Sequence, residues 1–259
     1  MTGPAIAFDH VVQRFPDAAP PALDGVSLEI SQGEFAAIVG PSGSGKTTLL
    51  RLVNRLADPA EGAVFVSGKN VRDADPVQLR RSIGYVFQGI GLFPHMTIAE
   101  NISITPRLLR WPQEKLRDRA RELLELVRLP RNYESRMPDE LSGGERQRVG
   151  VARALAASPK IVLMDEPFGA LDPVTRDALT QDYRELHEKL GLTSVMITHD
   201  MLEALILADR IVVLQDGKII EQGTPQALAR GAKHAFVREL MQMPERQAAR
   251  LASILEQRA

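Results

Sequence analysis

The chain has 259 residues, 44% of them hydrophobic and 25% charged, with 32 Lys and Arg against 33 Asp and Glu. This composition excludes a wholly disordered, collagen-like or fibrous chain, and the near-neutral balance argues against a dominant basic field and against nucleic acid as partner. With no cysteine, disulfides, Cys-based zinc or iron–sulfur sites and a thiol nucleophile are excluded as well. No basic-then-apolar leader opens the sequence, and no run approaches the roughly 18–20 apolar residues needed to cross a bilayer.

In chain order, IAFDHVVQRF and GVSLEI read as strands separated by a Pro- and Ala-rich loop. FAAIVG is a short apolar strand ending in glycine, and TTLLRLVNRL after it is helical, the start of a βαβ unit. GAVFVSGKNV reads as a hairpin. From about residue 90 to residue 157 the pattern turns helical: EKLRDRARELLELVRL is strongly amphipathic, and RQRVGVARALAAS forms a second helix. IVLMDE at 161–166 returns to a buried strand. A helix over about 173–190, the strand SVMITHD and the helix MLEALILADR follow, with Asp200 and Glu203 expected to cap the last of these. IVVLQDGKIIEQG is a hairpin turning at Asp216-Gly217. The final 35 or so residues are helical and polar, with Leu251, Ile254 and Leu255 on one face.

Residues 40–47, G-P-S-G-S-G-K-T, match G-x-x-x-x-G-K-[ST] at every fixed position, between a strand and a helix. Gly43 and Gly45 let successive N–H groups turn toward phosphate oxygens, and the helix start adds its positive dipole end. Lys46 supplies a charge for the β- and γ-phosphates, and the Thr47 hydroxyl is a Mg²⁺ ligand. In IVLMDE, four apolar residues suit a strand buried on both faces, whose C-terminal end is where ligands bind in open α/β sheets. Asp165 is then placed to hold Mg²⁺, directly or through water, and Glu166 to polarise an attacking water.

L-S-G-G-E-R-Q at 141–147 has the S-x-x-E spacing of a capping box between Ser142 and Glu145. Two adjacent glycines are not needed for a cap, however, and with the serine they make a second anion cradle at a helix start.

Together these motifs resemble the ATP-binding subunits of ABC transporters, over about residues 5–225. The resemblance implies an α/β P-loop NTPase core of the RecA type, with an antiparallel β subdomain and an inserted helical subdomain. It implies a single domain: a catalytic core at about 1–88 and 158–225, a helical part at about 89–157, and a helical tail at about 226–259. It places Gly40, Pro41, Ser42, Gly43, Ser44, Gly45, Lys46, Thr47 and Thr48 around ATP and Mg²⁺. Ser142, Gly143, Gly144 and Gln147 would close on the γ-phosphate held by a second, head-to-tail copy.

Other positions are carried over one at a time. Gln88 in YVFQ resembles the glutamine that senses Mg²⁺ and the γ-phosphate; an ordinary strand-end polar residue is the other reading. Asp172 in GALDP resembles the aspartate that communicates across the dimer, while Asp with Pro173 is also a standard helix start. His199 in ITHD resembles the switch histidine at the γ-phosphate, or is a histidine buried at a strand end. Phe15 stands where the family stacks an aromatic on adenine, or is plain core. Met196 and Met201 are most simply packing residues. Phe93, Pro94 and His95 resemble the surface that receives the membrane subunit.

The runs QGIGLFPHMTIAENI and TPRLLRW are most similar to importers of osmoprotectants such as glycine betaine, choline or carnitine. Importers of amino acids or other small solutes, and non-transport ABC ATPases, are the alternatives. The type implies a separate substrate-binding protein, permease subunits, and a peripheral place at the cytoplasmic face of the inner membrane. Such relatives commonly carry regulatory CBS modules, which are expected to be absent here. PERQAARLASILEQRA packs on its own domain or helps to hold the dimer.

Overall fold

Alternating apolar residues build the first sheet. The computed structural model describes residues 3–15 and 20–256. β1 (Ile6–Gln13) pairs antiparallel with β2 (Leu23–Ile30), setting Ile6 opposite Ile30 and Phe8 opposite Leu28. Along β2, Leu23, Val26, Leu28 and Ile30 are buried while Gly25, Ser27 and Glu29 face water, the period-2 pattern of a sheet with one dry face.

β3 (Phe35–Val39) leads through the glycine-rich turn into α1 (Lys46–Val53). β4 (Glu61–Val66) and β5 (Lys69–Asn70) form the expected hairpin and complete a four-stranded antiparallel sheet in the order β2-β1-β4-β5. α2 (Pro76–Ser82) is a helix that the sequence pattern left unassigned. It opens with Asp75, whose side chain accepts from Gln78 N–H, and with Pro76 in the first turn.

β6 (Ile83–Val86) enters the second sheet. The helical stretch holds α3 (Ile98–Ile102), α4 (Ile104–Leu108), α5 (Gln113–Leu126) and α6 (Gly143–Leu155). β7 (Ile161–Asp165), α7 (Pro173–Leu190), β8 (Thr193–Ile197) and α8 (Met201–Leu207) return to the α/β pattern. β9 (Arg210–Gln215) and β10 (Lys218–Gly223) make the second hairpin. Its Asp216 and Gly217, at φ 48° and 74°, supply the two left-handed residues of a tight turn. α9 (Pro225–Gly231) and α10 (Ala235–Glu256) close the described chain, α10 running through Pro244. Leu251, Ile254 and Leu255 lie outside the residues whose side chains are described.

The second sheet has the order β10-β9-β3-β8-β7-β6, parallel except for the antiparallel β9/β10 pair. Its central strands β3, β7 and β8 are apolar on both faces because both faces are covered. From β3, Phe35, Ala37 and Val39 join the core shared with α3, α5, α6, α7 and α8. Ala36 and Ile38 join the opposite core, shared with α1 and the antiparallel sheet. This is the P-loop α/β architecture expected, with helices gathered between β6 and β7.

Phe35 centres the first of these cores. It is fully buried, edge-on to Tyr183 at 5.8 Å between centroids and 5.1 Å from the His187 ring. Phe35→Ala is expected to cost about 3–5 kcal/mol, read as a shifted denaturation midpoint; a loss under about 1 kcal/mol would contradict this packing.

Two expectations are corrected here. Asp200 does cap α8, accepting from the N–H groups of Leu202 and Glu203. Glu203 does not. It is 5% exposed, accepts the Thr198 hydroxyl at 2.6 Å and faces Arg176 at 3.7 Å. Its place on the inner face of a short helix carries it into the core, where burial pushes its carboxyl above the usual range. His199, conversely, is not buried at its strand end; its side chain is 64% exposed.

Candidate functional site

The phosphate turn is shaped by its surroundings as much as by its own residues. Gly43 and Gly45 have φ of 79° and 102°, and a Cβ on Gly45 would stand 2.3 Å from the Ala22 carbonyl oxygen. The turn is thus wedged between β3, the start of β2 and the β9–β10 hairpin, whose Gly217 N–H donates to the Ser44 carbonyl. The Lys46 ammonium folds back to donate to the Gly40 and Pro41 carbonyls, each at 2.8 Å. Burial holds its pKa below the ordinary lysine value, against the pull of Glu166 and Asp165. Ser44 Oγ is buried without a hydrogen-bond partner, an unmet polar group inside a turn of inward amides. Pro41, Ser42 and Gly43 are exposed, and Thr48 is 8% exposed on α1.

Asp165 ends β7 beside this turn. Thr47 Oγ1 donates to its Oδ1 at 3.4 Å. Burial, then the Glu166 charge, pushes the Asp165 carboxyl up, and the Thr47 hydrogen bond offsets part of this. Tyr85 on β6, which sequence reasoning passed over, lies close to the same carboxylate, and burial, followed by the Asp165 charge, raises its phenol. A carboxylate, a hydroxyl and a phosphate-binding turn are the hard-oxygen donor set that Mg²⁺ takes, with substrate phosphates and waters completing it. Added positive charge there would relieve the raised Asp165.

Glu166 is the hub of the next group. Its backbone sits at φ 44°, an uncommon conformation for a non-glycine residue, fixed by its N–H donating to the Ile197 carbonyl at 3.0 Å. The side chain is held from both sides: Gln88 Nε2 donates to Oε2 at 3.0 Å, and His199 Nδ1 lies 3.4 Å from Oε1. Gln88 thus addresses Glu166, and no hydrogen bond joins it to Asp165 among the described residues. Two side chains from distant strand ends converge on one carboxylate at the C-terminal edge of the parallel sheet.

The tip of α6 is a formed capping box. Ser142 Oγ accepts from Glu145 N–H at 3.3 Å, and the Glu145 carboxylate accepts from Ser142 N–H at 2.8 Å. The two glycines divide their roles. A Cβ on Gly143 would meet only Leu171 at 3.9 Å, while one on Gly144 would stand 2.4 Å from Thr175 Cγ2 on α7. Close packing of Thr175 therefore favours Gly144 whatever the tip binds, a reason for paired glycines that capping arguments alone miss.

Gln147, carried over with Ser142 and Gly143, sits differently from Ser142 within one copy. It is 2% exposed, on the face of α6 turned into its own subunit, and lines a cavity of about 310 Å³ with Gln88, Gly143, Glu166 and His199. Asp172 caps α7 by accepting from Thr175 N–H at 3.0 Å, and Thr175, through its side chain and then its N–H, lowers the Asp172 carboxyl pKa. Beside it Val174 is 81% exposed. Phe15 is 38% exposed and belongs to neither core; Met196 and Met201 are core residues. Among the described residues no hydrogen bond joins 142–144 to 40–47 of the same chain.

A groove of about 450 Å³ opens beside Gln88, lined among others by Leu56, Tyr85, Phe87, Phe93, Ile104 and Arg153. Leu56, Phe87 and Phe93 are exposed. Pro94 and His95 are exposed but lie outside the lining. The turn carrying Phe93 is stapled by buried Asn101, which accepts from Phe93 N–H and donates to the Phe93, Met96 and Thr97 carbonyls. Sequence reasoning missed Asn101 because its partners are all backbone.

The parallel sheet, the glycine turn and the paired acids at its edge define a P-loop nucleotide-binding protein. The ABC transporter family model matches residues 23–169, and the chain belongs to that family. It is 54% identical over 220 residues to the glycine betaine/carnitine/choline transport ATP-binding protein OpuCA of Bacillus subtilis, covering 85% of this chain and 58% of that one. It is 45% identical to the glycine betaine uptake system ATP-binding protein YehX of Escherichia coli, covering 90% and 75%. It is 49% identical to a sulfate/thiosulfate import ATP-binding protein of Agrobacterium fabrum, covering 79% and 59%. The chain spans about three fifths of the length of OpuCA. Among solved structures, a dimeric ATP-binding cassette in a post-hydrolysis state with ADP and Pi matches with a TM-score of 0.75 and 37% identity, covering 85% of this chain and 98% of that one.

Proposed function

We propose that this chain binds and hydrolyses ATP to drive an importer of osmoprotectants such as glycine betaine, choline or carnitine, acting as a head-to-tail pair. One observation carries the hydrolytic part: Glu166, fixed between Gln88 and His199, stands next in sequence to Asp165 and beside a formed phosphate turn. Such a carboxylate accepts a proton from the water that attacks the γ-phosphate. Lys46, the turn's N–H groups and the start of α1 bind the phosphates. Thr47 and Asp165 would hold Mg²⁺, which neutralises phosphate charge when bound. Gln88 and His199 orient the carboxylate.

The pairing reading is supported by exposed Ser142 at the tip of α6, the exposed Val174 beside Asp172, and the dimeric solved relative. Each copy then offers its tip and Asp172 to the nucleotide on the other copy, and the exposed Phe15 stacks on adenine. The apolar groove beside Gln88 receives the permease subunit at the cytoplasmic face of the inner membrane, where the chain is peripheral; among the described residues no helix is long and apolar enough to cross a membrane. Solute is delivered by a separate binding protein.

Mg²⁺-dependent release of phosphate from ATP by the purified chain tests the enzymatic part, and phosphate release absent at every concentration and in every assembly would overturn it. For the cargo, disrupting the gene is expected to abolish uptake of labelled glycine betaine or choline at high osmolarity. Loss of sulfate uptake alone would instead assign the cargo of the Agrobacterium relative.

The groove makes its own prediction. Leu56→Glu places a charge in an apolar wall and is expected to abolish co-purification with a membrane subunit from solubilised membranes, while nucleotide binding by the isolated chain is unchanged. Undiminished co-purification would place the contact elsewhere.

A further inference from the structure

Arg153 is a buried cation with no acidic partner. It lies on α6, 9% exposed, and among the described residues it forms no ion pair. Leaving a guanidinium in the interior without a carboxylate is costly unless its donors are all well spent. Here Nη1 donates to the Gly91 carbonyl at 2.6 Å and Nη2 to the Ile90 carbonyl at 2.7 Å, with the guanidinium 5.8 Å from the Phe87 ring centroid. Burial pushes its pKa down, in keeping with a cation whose hydrogen-bond acceptors, among the described residues, are two peptide groups.

The loop it grips is strained. Gly89, Ile90 and Gly91 have φ of 79°, 68° and 57°, three left-handed residues in succession. The middle one is β-branched, the residue type least tolerant of that conformation. Ile90 Cγ2 rests against α6 where Gly150 leaves room, at 3.6 Å from an ideal Cβ there. Strained backbone of this kind persists only where its surroundings over-determine it, and Arg153 is the side chain that ties it down.

This loop has two neighbours that matter. Gln88, whose amide reaches Glu166, immediately precedes it. On the other side, Phe87, Gly91, Phe93 and Arg153 itself line the apolar groove. A shift of the loop therefore moves the groove wall and the Gln88 amide together.

We propose that Arg153 is a positioning residue for the hydrolytic reaction: its two hydrogen bonds hold the 89–91 turn in the left-handed form that sets the Gln88 amide on Glu166. The inference rests on the reading of Glu166 as the hydrolytic carboxylate. Arg153 touches no nucleotide and acts through Gln88.

A double-mutant cycle in the full-length chain tests it, read by single-turnover ATP hydrolysis so that slow variants stay measurable. Arg153→Met keeps the bulk of the stem and removes both donors; it is expected to lower kcat about 10- to 100-fold, as misplacement by around an ångström does, with KM for ATP changed no more than about twofold. Arg153→Lys, able to reach one carbonyl, is expected to fall between. On a Gln88→Ala background Arg153→Met should add no further loss, because the residue it positions is already gone. A merely structural arginine would not give that result. An equal loss from Arg153→Met on both backgrounds, or an unchanged kcat, overturns the proposal. If Arg153→Met lacks a cooperative melting transition, Arg153→Lys takes its place in the cycle: no added loss on the Gln88→Ala background supports the proposal, and an equal loss on both backgrounds overturns it. A wild-type chain that never hydrolyses ATP sinks the functional reading; an active wild type with an additive cycle sinks only the role of Arg153.

Discussion

Glu166→Gln is expected to retain ATP binding and to lose about 10²- to 10⁴-fold in turnover, the range of a positioned general base. The substitution keeps the size of the side chain and removes its capacity to take a proton. Nothing in the phosphate turn changes: Lys46 still folds onto the Gly40 and Pro41 carbonyls, and Thr47 still faces Asp165. Fluorescent-nucleotide titration should therefore give an affinity close to wild type while phosphate release falls away. Geometry makes the effect large. Glu166 is fixed at its backbone by Ile197 and at its side chain by Gln88 and His199, whereas neighbouring Asp165 faces Thr47 instead of this pair. Turnover within a few-fold of wild type would remove Glu166 from the reaction.

The second large effect is on binding. Lys46→Ala deletes the ammonium of a 7% exposed lysine from the phosphate turn. Hydrogen bonds to charged groups contribute about 1.5–3 kcal/mol, which converts to roughly 10- to 150-fold weaker nucleotide affinity. The change also strips the Gly40 and Pro41 carbonyls of their donor, so thermal melting should accompany the titration to show that the chain remains folded. Unchanged affinity in a folded variant would contradict the role of this turn.

What could be read from the sequence was local. The glycine turn, the apolar run ending in Asp165-Glu166, the Asp216-Gly217 turn and the Asp172-Pro173 helix start each carry their instruction within a few residues. α2 was equally local, and the Asp75-Pro76 pair that caps it was the overlooked signal. The remainder depends on which face of a helix meets which neighbour. Gln147 and Gly144 sit one turn apart on α6; the first is 2% exposed among residues distant in sequence, and a Cβ on the second would meet Thr175 of α7, neither of which spacing specifies. Glu203 fits a capping pattern as well as Asp200 does, but its helix turns it inward to Thr198 and Arg176. Arg153 finds its acceptors 62 and 63 residues away, and the convergence of Gln88, Glu166 and His199 comes from strand order in the parallel sheet, which periodicity does not specify.

The most direct measurement is a crystal structure of the Glu166→Gln chain grown with ATP and Mg²⁺. It is predicted to show two copies head to tail, with Ser142 and the Gly143 amide of each within hydrogen-bonding distance of the γ-phosphate held on the other's Lys46. Nucleotide bound in a copy whose α6 tip meets only solvent, in every assembly formed, would contradict the shared site on which coupled hydrolysis depends.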